Sequence, residues 1–353
     1  MRLHMDLRPS SDNSPLGWGV EVAGAQIELG FNRVGLEQRV ASGGLDWNRA
    51  LAAVEGLCAR CSQANALAFA QAVEAMSGII VPPRAAYLRM VLAEVERVVS
   101  HLLNAAHIMQ ALNLTDLEMF MRDQRERVVH AFAEWGGARA QPGLVAYGGL
   151  ARNVDDTACR ALALAARHVE RALRAQVQAI INHRVVAARL VGLGVISAQE
   201  ALLAGLRGPV LRASGVPTDI RAAWPTGAYE EEGVTIVSQR AGDAFARLVV
   251  RLLECLESLR IIEQGLDDLP GGSVRARGGV DPREGSGIGR VEGPRGEVFC
   301  RVRGEAGVVR ALHLSAGSFP SLGIIGGLLR GVRLEDVRLV LLSLDLCLAC
   351  AER

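Results

Sequence analysis

The chain has 353 residues, half of them apolar, with 39 Lys and Arg against 38 Asp and Glu. That length allows one large or two ordinary domains with a sizeable core, and charges that nearly cancel speak against a nucleic-acid binder. No run of about 18 apolar residues suggests a membrane span, and Met1-Arg2-Leu3-His4-Met5-Asp6 lacks the apolar centre of a secretion signal. The expected location is the cytoplasm, with any membrane attachment made through partners.

Gly19-Val20-Glu21-Val22 and Gln26-Ile27-Glu28-Leu29 alternate about Ala23-Gly24, which predicts a β-hairpin. Val34-Gly35-Leu36-Glu37 leads into helix. Residues 47–61 carry Leu51, Val54 and Leu57 on one helical face. Cys58 and Cys61 are three apart, so a helical turn puts both sulfurs on the same side. Helical character resumes over 64–76, and Gly78 breaks it. Pro82-Pro83 opens a long helix with the stripe Leu88, Val91, Leu92, Val95, Val98, Val99, Leu102 and Leu103. Another helix is expected over 117–135, followed by a loop at Gly136-Gly137 and Gln141-Pro142-Gly143. Asp155 or Asp156 caps a helix running to about Asn182. Residues 190–235 are broken by Gly and Pro, with one short helix near 198–204. A last long helix is expected over 237–269, ended by Pro270-Gly271-Gly272. After a Gly-, Arg- and Pro-rich stretch over 271–296, residues 298–302 and 308–312 read as strands. Residues 319–329 and 334–344 read as short helices.

The fold class is therefore mainly α (α+β), a single domain over 1–353. It comprises a β-hairpin region (1–45), a large helical bundle (46–270) and a small α+β part (271–353). No internal repeat is visible.

Of the seven cysteines, four form Cys58-Ala59-Arg60-Cys61 and Cys347-Leu348-Ala349-Cys350, at opposite ends of the chain. In a cytosolic protein such pairs point to metal or redox chemistry rather than to a disulfide frame. Read together they are two halves of one four-thiolate site, a donor set that suits zinc, an iron–sulfur cluster or nickel. Isolated structural zinc would place each pair in its own short fold, whereas almost the whole chain separates these two. Cys159, Cys255 and Cys300 read as buried core residues.

The blocks around the cysteines carry a resemblance. They are Pro82-Pro83-Arg84-Ala85-Ala86-Tyr87-Leu88-Arg89 with Glu94, Arg97, His101 and Leu102; Gly208-Pro209-Val210-Leu211-Arg212-Ala213-Ser214-Gly215-Val216; Gly242-Asp243 with Ala246-Arg247; Glu257-Ser258-Leu259-Arg260-Ile261-Ile262; Pro294-Arg295-Gly296-Glu297; and Asp345-Leu346-Cys347-Leu348-Ala349-Cys350. In this order they resemble the large subunit of nickel–iron hydrogenases. Specifically, they resemble the membrane-associated, energy-converting type related to the 49 kDa catalytic subunit of respiratory complex I.

The resemblance implies a nickel–iron centre with CO and cyanide on iron. Cys58 and Cys347 would be terminal nickel ligands, and Cys61 and Cys350 would bridge the two metals. It implies Cys347 as proton acceptor, Arg295 beside the open metal position and Asp345 beside Arg295. Complex I subunits usually lack the four thiolates, so their presence favours reversible hydrogen oxidation. The implied partners are an iron–sulfur small subunit and a membrane arm, with the chain peripheral on the inner face of the cell membrane. The alternative is a zinc-bound or metal-free structural or quinone-linked subunit of a complex I-like assembly. The resemblance also implies cutting during maturation near where this chain ends, three residues beyond Cys350.

The family pattern is altered at Gly56, Ala59, Asn65 and Leu346, and over Arg33-Val34-Gly35-Leu36-Glu37. Asn65, where a histidine is usual, can donate to a thiolate but cannot shuttle a proton. Glu28 and Glu292 are then candidate proton carriers. Many relatives hold a structural cation between a glutamate at position 37 and a C-terminal histidine. Here an ion pair between Glu37 and Arg353 is expected instead. The expected hairpin carries no histidine of the kind the complex I quinone site uses.

Overall fold

The computed structural model describes residues 1–10, 19–30, 35–135, 137–140, 142–276, 284–305 and 307–351. Leu3, Met5 and Leu7 alternate with His4, Asp6 and Arg8, and Arg2–Pro9 forms strand β1. It pairs antiparallel with β2, Val20–Glu28. Both alternating runs that suggested a hairpin lie on β2, where Gly24 stands opposite Asp6 instead of turning the chain. Alternation marks a strand but not its partner, and the partner is upstream. The hairpin therefore does contain a histidine, His4 on β1, exposed and 3.4 Å from Glu28.

Two short helices follow, α1 (Leu36–Gly43) and α2 (Trp47–Glu55). Asp46 caps α2 by accepting the amides of Asn48 and Arg49 at 3.0 and 3.1 Å. The bundle is α3 (Ser62–Ser77), α4 (Pro83–Ala111), α5 (Thr115–Ala133), α6 (Asp156–Ile181) and α12 (Ala244–Asp267). The small hairpin β3 (Val145–Ala146) and β4 (Gly149–Leu150) interrupts it. Asp155 caps α6, as expected from the sequence. Helix α12 starts at Ala244 rather than near 237, because Gly242 turns at φ 66° and the Asp243 carboxylate takes the Ala246 amide.

The stretch before α12 holds more helix than its Gly and Pro content suggested. It contains α7 (Arg184–Leu190), α8 (Ala198–Leu203), α9 (Gly208–Ala213), α10 (Ile220–Ala223) and α11 (Tyr229–Glu232). The C-terminal part is an antiparallel sheet of β5 (Gly285–Gly293), β6 (Gly296–Glu305) and β7 (Val308–Ser315). Helices α13 (Ser318–Leu328), α14 (Leu334–Leu344) and α15 (Leu348–Ala351) follow.

Strand β5 was hidden in the glycine-rich stretch, and its glycines explain its position. A Cβ on Gly287 would lie 1.9 Å from the Ala72 carbonyl oxygen, and one on Gly289 would lie 2.0 Å from that of Ala68. Backbone is packed on backbone where α3 crosses the sheet. Gly289→Val should cost about 3 kcal/mol or more of stability. Ile288→Thr, at a position 51% exposed on the other face, should cost about 0.5 kcal/mol or less. Urea unfolding of the two variants checks this.

Candidate metal centre

The cysteine pairs are placed by turns. Helix α2 ends at Gly56, so Cys58 is not helical and Cys61 is the residue that precedes α3. The single helix expected over 47–61 does not form. A turn closed by the Cys61 amide on the Cys58 carbonyl at 3.3 Å brings the pair together instead. At the other end α14 stops at Leu344, and Asp345 adopts left-handed backbone, φ 51°. An aspartate tolerates this better than most residues do, and the reversal aims Cys347 and α15 back into the protein. The Cys347 amide donates to Ser318 Oγ at 3.1 Å.

The four sulfurs Cys58, Cys61, Cys347 and Cys350 lie within 4.8 Å of one another, all buried. Cys58 and Cys347 are 3.1 Å apart although 289 residues separate them. No other cluster of three or more His, Cys, Asp or Glu ligand groups occurs among the described residues. Cys159, Cys255 and Cys300 are buried elsewhere in the core. The cage titrates as a unit. Hydrogen bonds from Cys350, Cys58 and Cys61 hold Cys347 well below the usual thiol range, while bonds to Cys347 hold Cys350 above it.

Arg295 touches the cage from the turn between β5 and β6. Its Nη1 donates to Cys61 Sγ at 3.1 Å, Nη2 to Ser100 Oγ at 3.1 Å and Asp345 Oδ1 at 3.0 Å, and Nε to the Asp345 carbonyl at 2.8 Å. Its backbone is clamped by glycine: a Cβ on Gly317 would lie 2.1 Å from the Arg295 carbonyl oxygen. Asp345 also accepts from Arg60 Nη2 at 3.1 Å, so these two guanidinium groups share one carboxylate. Arg60 was not foreseen, although its place inside the first Cys-x-x-Cys was the available signal.

Other expectations fall away from the centre. Glu28 is exposed on β2. Asn65 is fully buried, and neither atom of its amide has a hydrogen-bond partner, so the expected bond to a thiolate is absent. Glu37 accepts the Leu314 amide at 3.0 Å and lies 3.5 Å from His313 Nδ1. Arg353 lies outside the described residues, and so does the pair expected with it.

The chain is 31% identical to an NADH-quinone oxidoreductase subunit of Desulforamulus reducens, over 79% of this chain and 77% of that one. It belongs to the family of the 49-kDa subunit of respiratory-chain NADH dehydrogenase. The model of that family matches residues 114–282. The membrane-bound hydrogenase subunit alpha of Pyrococcus furiosus is 28% identical, over 95% of this chain and 82% of that one. Among solved structures, a chain of the membrane-bound sulfane sulfur reductase, an archaeal respiratory membrane complex, superposes with a TM-score of 0.88 at 27% identity. It covers 94% of this chain and 92% of that chain. In this member of the 49-kDa family no described helix is long and apolar enough to cross a membrane.

Behind the cage this 49-kDa-family chain holds a buried charge network that single-residue reading did not assemble. Arg212 on α9 reaches Glu254 on α12 at 2.7 Å, Glu292 on β5 at 2.8 Å and Asp219 at 3.4 Å. Arg221 pairs with Asp219 at 2.7 Å and with Glu94 at 2.9 Å. Glu94 also pairs with Arg97 at 3.2 Å, and Glu254 meets His101 at 3.0 Å. Burial alone would raise Glu94, but Arg221 and Arg97 hold it at about 2. Burial drives His101 down to about 4 against the pull of Glu254.

A group whose pKa falls on folding stabilises fully above its unfolded value and loses that contribution as pH drops. Stability should therefore decline as pH falls from 6.5 toward 4, by about 3 kcal/mol from His101. Below 4.5 Glu94 adds to the loss. Urea unfolding across that range checks the slope, and His101→Gln should flatten its upper part.

Proposed function

We propose that this chain is the catalytic large subunit of a nickel–iron hydrogenase, oxidising hydrogen or reducing protons and passing electrons to an iron–sulfur small subunit. The observation that carries the reading is the buried cage of four cysteine sulfurs, with the Arg295 guanidinium directed at one of them. The donor set fits the group: four sulfur ligands with a charged donor beside them suit soft and borderline metals. Cys58, Cys61, Cys347 and Cys350 would together hold a nickel–iron centre bearing CO and cyanide. When bound, such a centre supplies heterolytic cleavage of hydrogen.

The chain's own residues do the rest. Cys347 Sγ is the atom assigned to take the proton. Arg295 presents positive charge and hydrogen-bond donors at the sulfur face, and Asp345 fixes its orientation through two of its four bonds. A cleft of about 470 Å³, lined by Met5, Val337, Leu341 and Leu342 among others, reaches Arg60 and Asp345. The name of the Pyrococcus relative, a membrane-bound hydrogenase subunit, supports attachment at the membrane, and the attachment proposed for this chain is through partner subunits on the inner face.

The second reading is a quinone-linked or structural subunit with zinc or no metal, supported by the match to an NADH-quinone oxidoreductase and by Asn65. Nickel and iron content decides, measured with infrared spectra on the chain purified anaerobically with its partner subunit. Nickel near one per chain with CO and cyanide bands supports the first reading. Zinc or no metal, from cells that mature other nickel enzymes, overturns it.

Arg295→Lys tests the assigned role more finely. Lysine keeps the charge but cannot make four bonds in a plane. Nickel should stay bound, while hydrogen-dependent reduction of methyl viologen falls about 10- to 100-fold.

A further inference from the structure

Helix α4 presents Glu96, Ser100 and Asn104 at a spacing of four. Residues so spaced stack on one helix face, here as a row about 12 Å long. Ser100 and Asn104 are buried and Glu96 is half-buried. Each bonds to a different segment of the metal centre.

Glu96 serves the Cys58–Cys61 half. Cys61 stands at the N-cap of α3, where Ser, Thr, Asp or Asn usually accepts the first amides, but its side chain makes no capping bond. Its sulfur belongs to the cage and takes Arg295 Nη1 at 3.1 Å. Glu96 supplies the cap from outside the helix. Its Oε1 accepts the Gln63 amide at 2.8 Å and the Ser62 hydroxyl at 3.5 Å, and its Oε2 accepts the Ala64 amide at 3.0 Å. A carboxylate there also meets the positive end of the helix dipole. Ser100, one turn on, accepts from Arg295 Nη2 at 3.1 Å. Asn104 serves the other half. Its Nδ2 donates to the Leu342 carbonyl at 2.8 Å. The same carbonyl accepts the Asp345 amide at 3.1 Å, at the left-handed turn that leads to Cys347.

We propose that Glu96 and Asn104 are positioning residues of the metal centre. Through them one face of α4 sets the spacing of two cysteine pairs that come from opposite ends of the chain, and Ser100 between them sets Arg295 against both. Both residues act through backbone: without Glu96 two amides of the first turn of α3 lose their acceptor beside Cys61, and without Asn104 the end of α14 loses its tie to α4. The inference rests on the four-thiolate reading of the site but not on the identity of the metal.

The test is Co(II) titration of the reduced 353-residue chain without oxygen, at one pH and at a temperature where the variants are folded. It is read by sulfur-to-cobalt charge-transfer absorption and by the ligand-field bands, which report the geometry of the bound ion. Glu96→Ala and Asn104→Ala should each bind Co(II) about tenfold more weakly or worse, with displaced ligand-field bands. Glu96→Gln keeps one acceptor oxygen and should lie between Glu96→Ala and wild type. It carries the test of that half if Glu96→Ala does not fold. Asp155→Ala is the control for capping as such. Asp155 accepts two amides at the start of α6, both at 2.8 Å, and is no part of the cage. Its loss should lower the thermal midpoint but leave Co(II) affinity and bands at their wild-type values.

Wild-type affinity and bands in the Glu96 variants or in Asn104→Ala would overturn the inference for the half concerned and leave the cage reading intact. Equal weakening in Asp155→Ala would overturn it for both halves, because the effect would then be one of general stability. A wild-type chain with no sulfur-to-cobalt bands would overturn the four-thiolate reading and this inference with it.

Discussion

Cys347→Ser should leave the chain folded and its centre empty. The side chain is buried, its sulfur is 3.1 Å from Cys58 Sγ, and its backbone is tied to Ser318, so the hydroxyl would occupy the same place. A serine hydroxyl, however, stays protonated where a thiolate is needed, and it is a hard donor offered to soft or borderline metals. Removing a ligand should cost more than removing a group that only orients one, for which about 10- to 100-fold is usual. Nickel content should therefore fall to background, and hydrogen-dependent methyl viologen reduction should drop by more than about 100-fold. Cys159→Ser is the control, because Cys159 is buried on α6 outside the cage. Retained activity in Cys347→Ser would sink the hydrogenase assignment, since no other cluster among the described residues can take the metal.

The long helices were legible because an apolar stripe repeats along each of them and a proline, an aspartate or a glycine marks an end. The cage was legible for a different reason: two Cys-x-x-Cys pairs carry their own chemistry, and the surrounding blocks ordered them. The route of the chain into the cage was not legible. Leu51, Val54 and Leu57 keep a helical spacing up to Cys58, yet the helix stops at Glu55 and the cysteines sit in a turn. Gly56 follows directly as its C-cap, a residue of low helix propensity that the apolar spacing outweighed in the sequence reading. Strand β5 was missed because its signal is an absence of side chains, and only the partner helix shows why Gly287 and Gly289 are there. The role of Arg212, which stands in one of the blocks that carry the resemblance, was not legible for a third reason. A buried arginine differs from a surface one by what lies around it, and that information is spread over α4, α9, α12 and β5.

Arg212→Met should be the most destabilising single change outside the cage. The guanidinium is fully buried and binds Glu254, Glu292 and the Thr218 carbonyl, with Asp219 close by. Methionine fits much of the volume, so the loss is electrostatic: three acids remain in a dry interior without their shared cation. Breaking such a group from one side costs about 3–5 kcal/mol, a large share of the 5–15 kcal/mol, roughly, that holds a domain together.

The sign of the pH dependence distinguishes this account from simple loss of packing. Without Arg212 the acids should titrate upward on folding, so the variant should regain stability as pH falls toward 5, where wild type is losing it through His101. Urea midpoints at about pH 7.5 and about pH 5 give the comparison. A packing defect would lower both by the same amount. The network joins α4, α9 and α12 to the end of β5, where the strand delivers Arg295 to the cysteines. If Arg212→Met instead keeps normal stability at both pH values and loses only hydrogen turnover, the charges behind the cage serve the chemistry and not the scaffold.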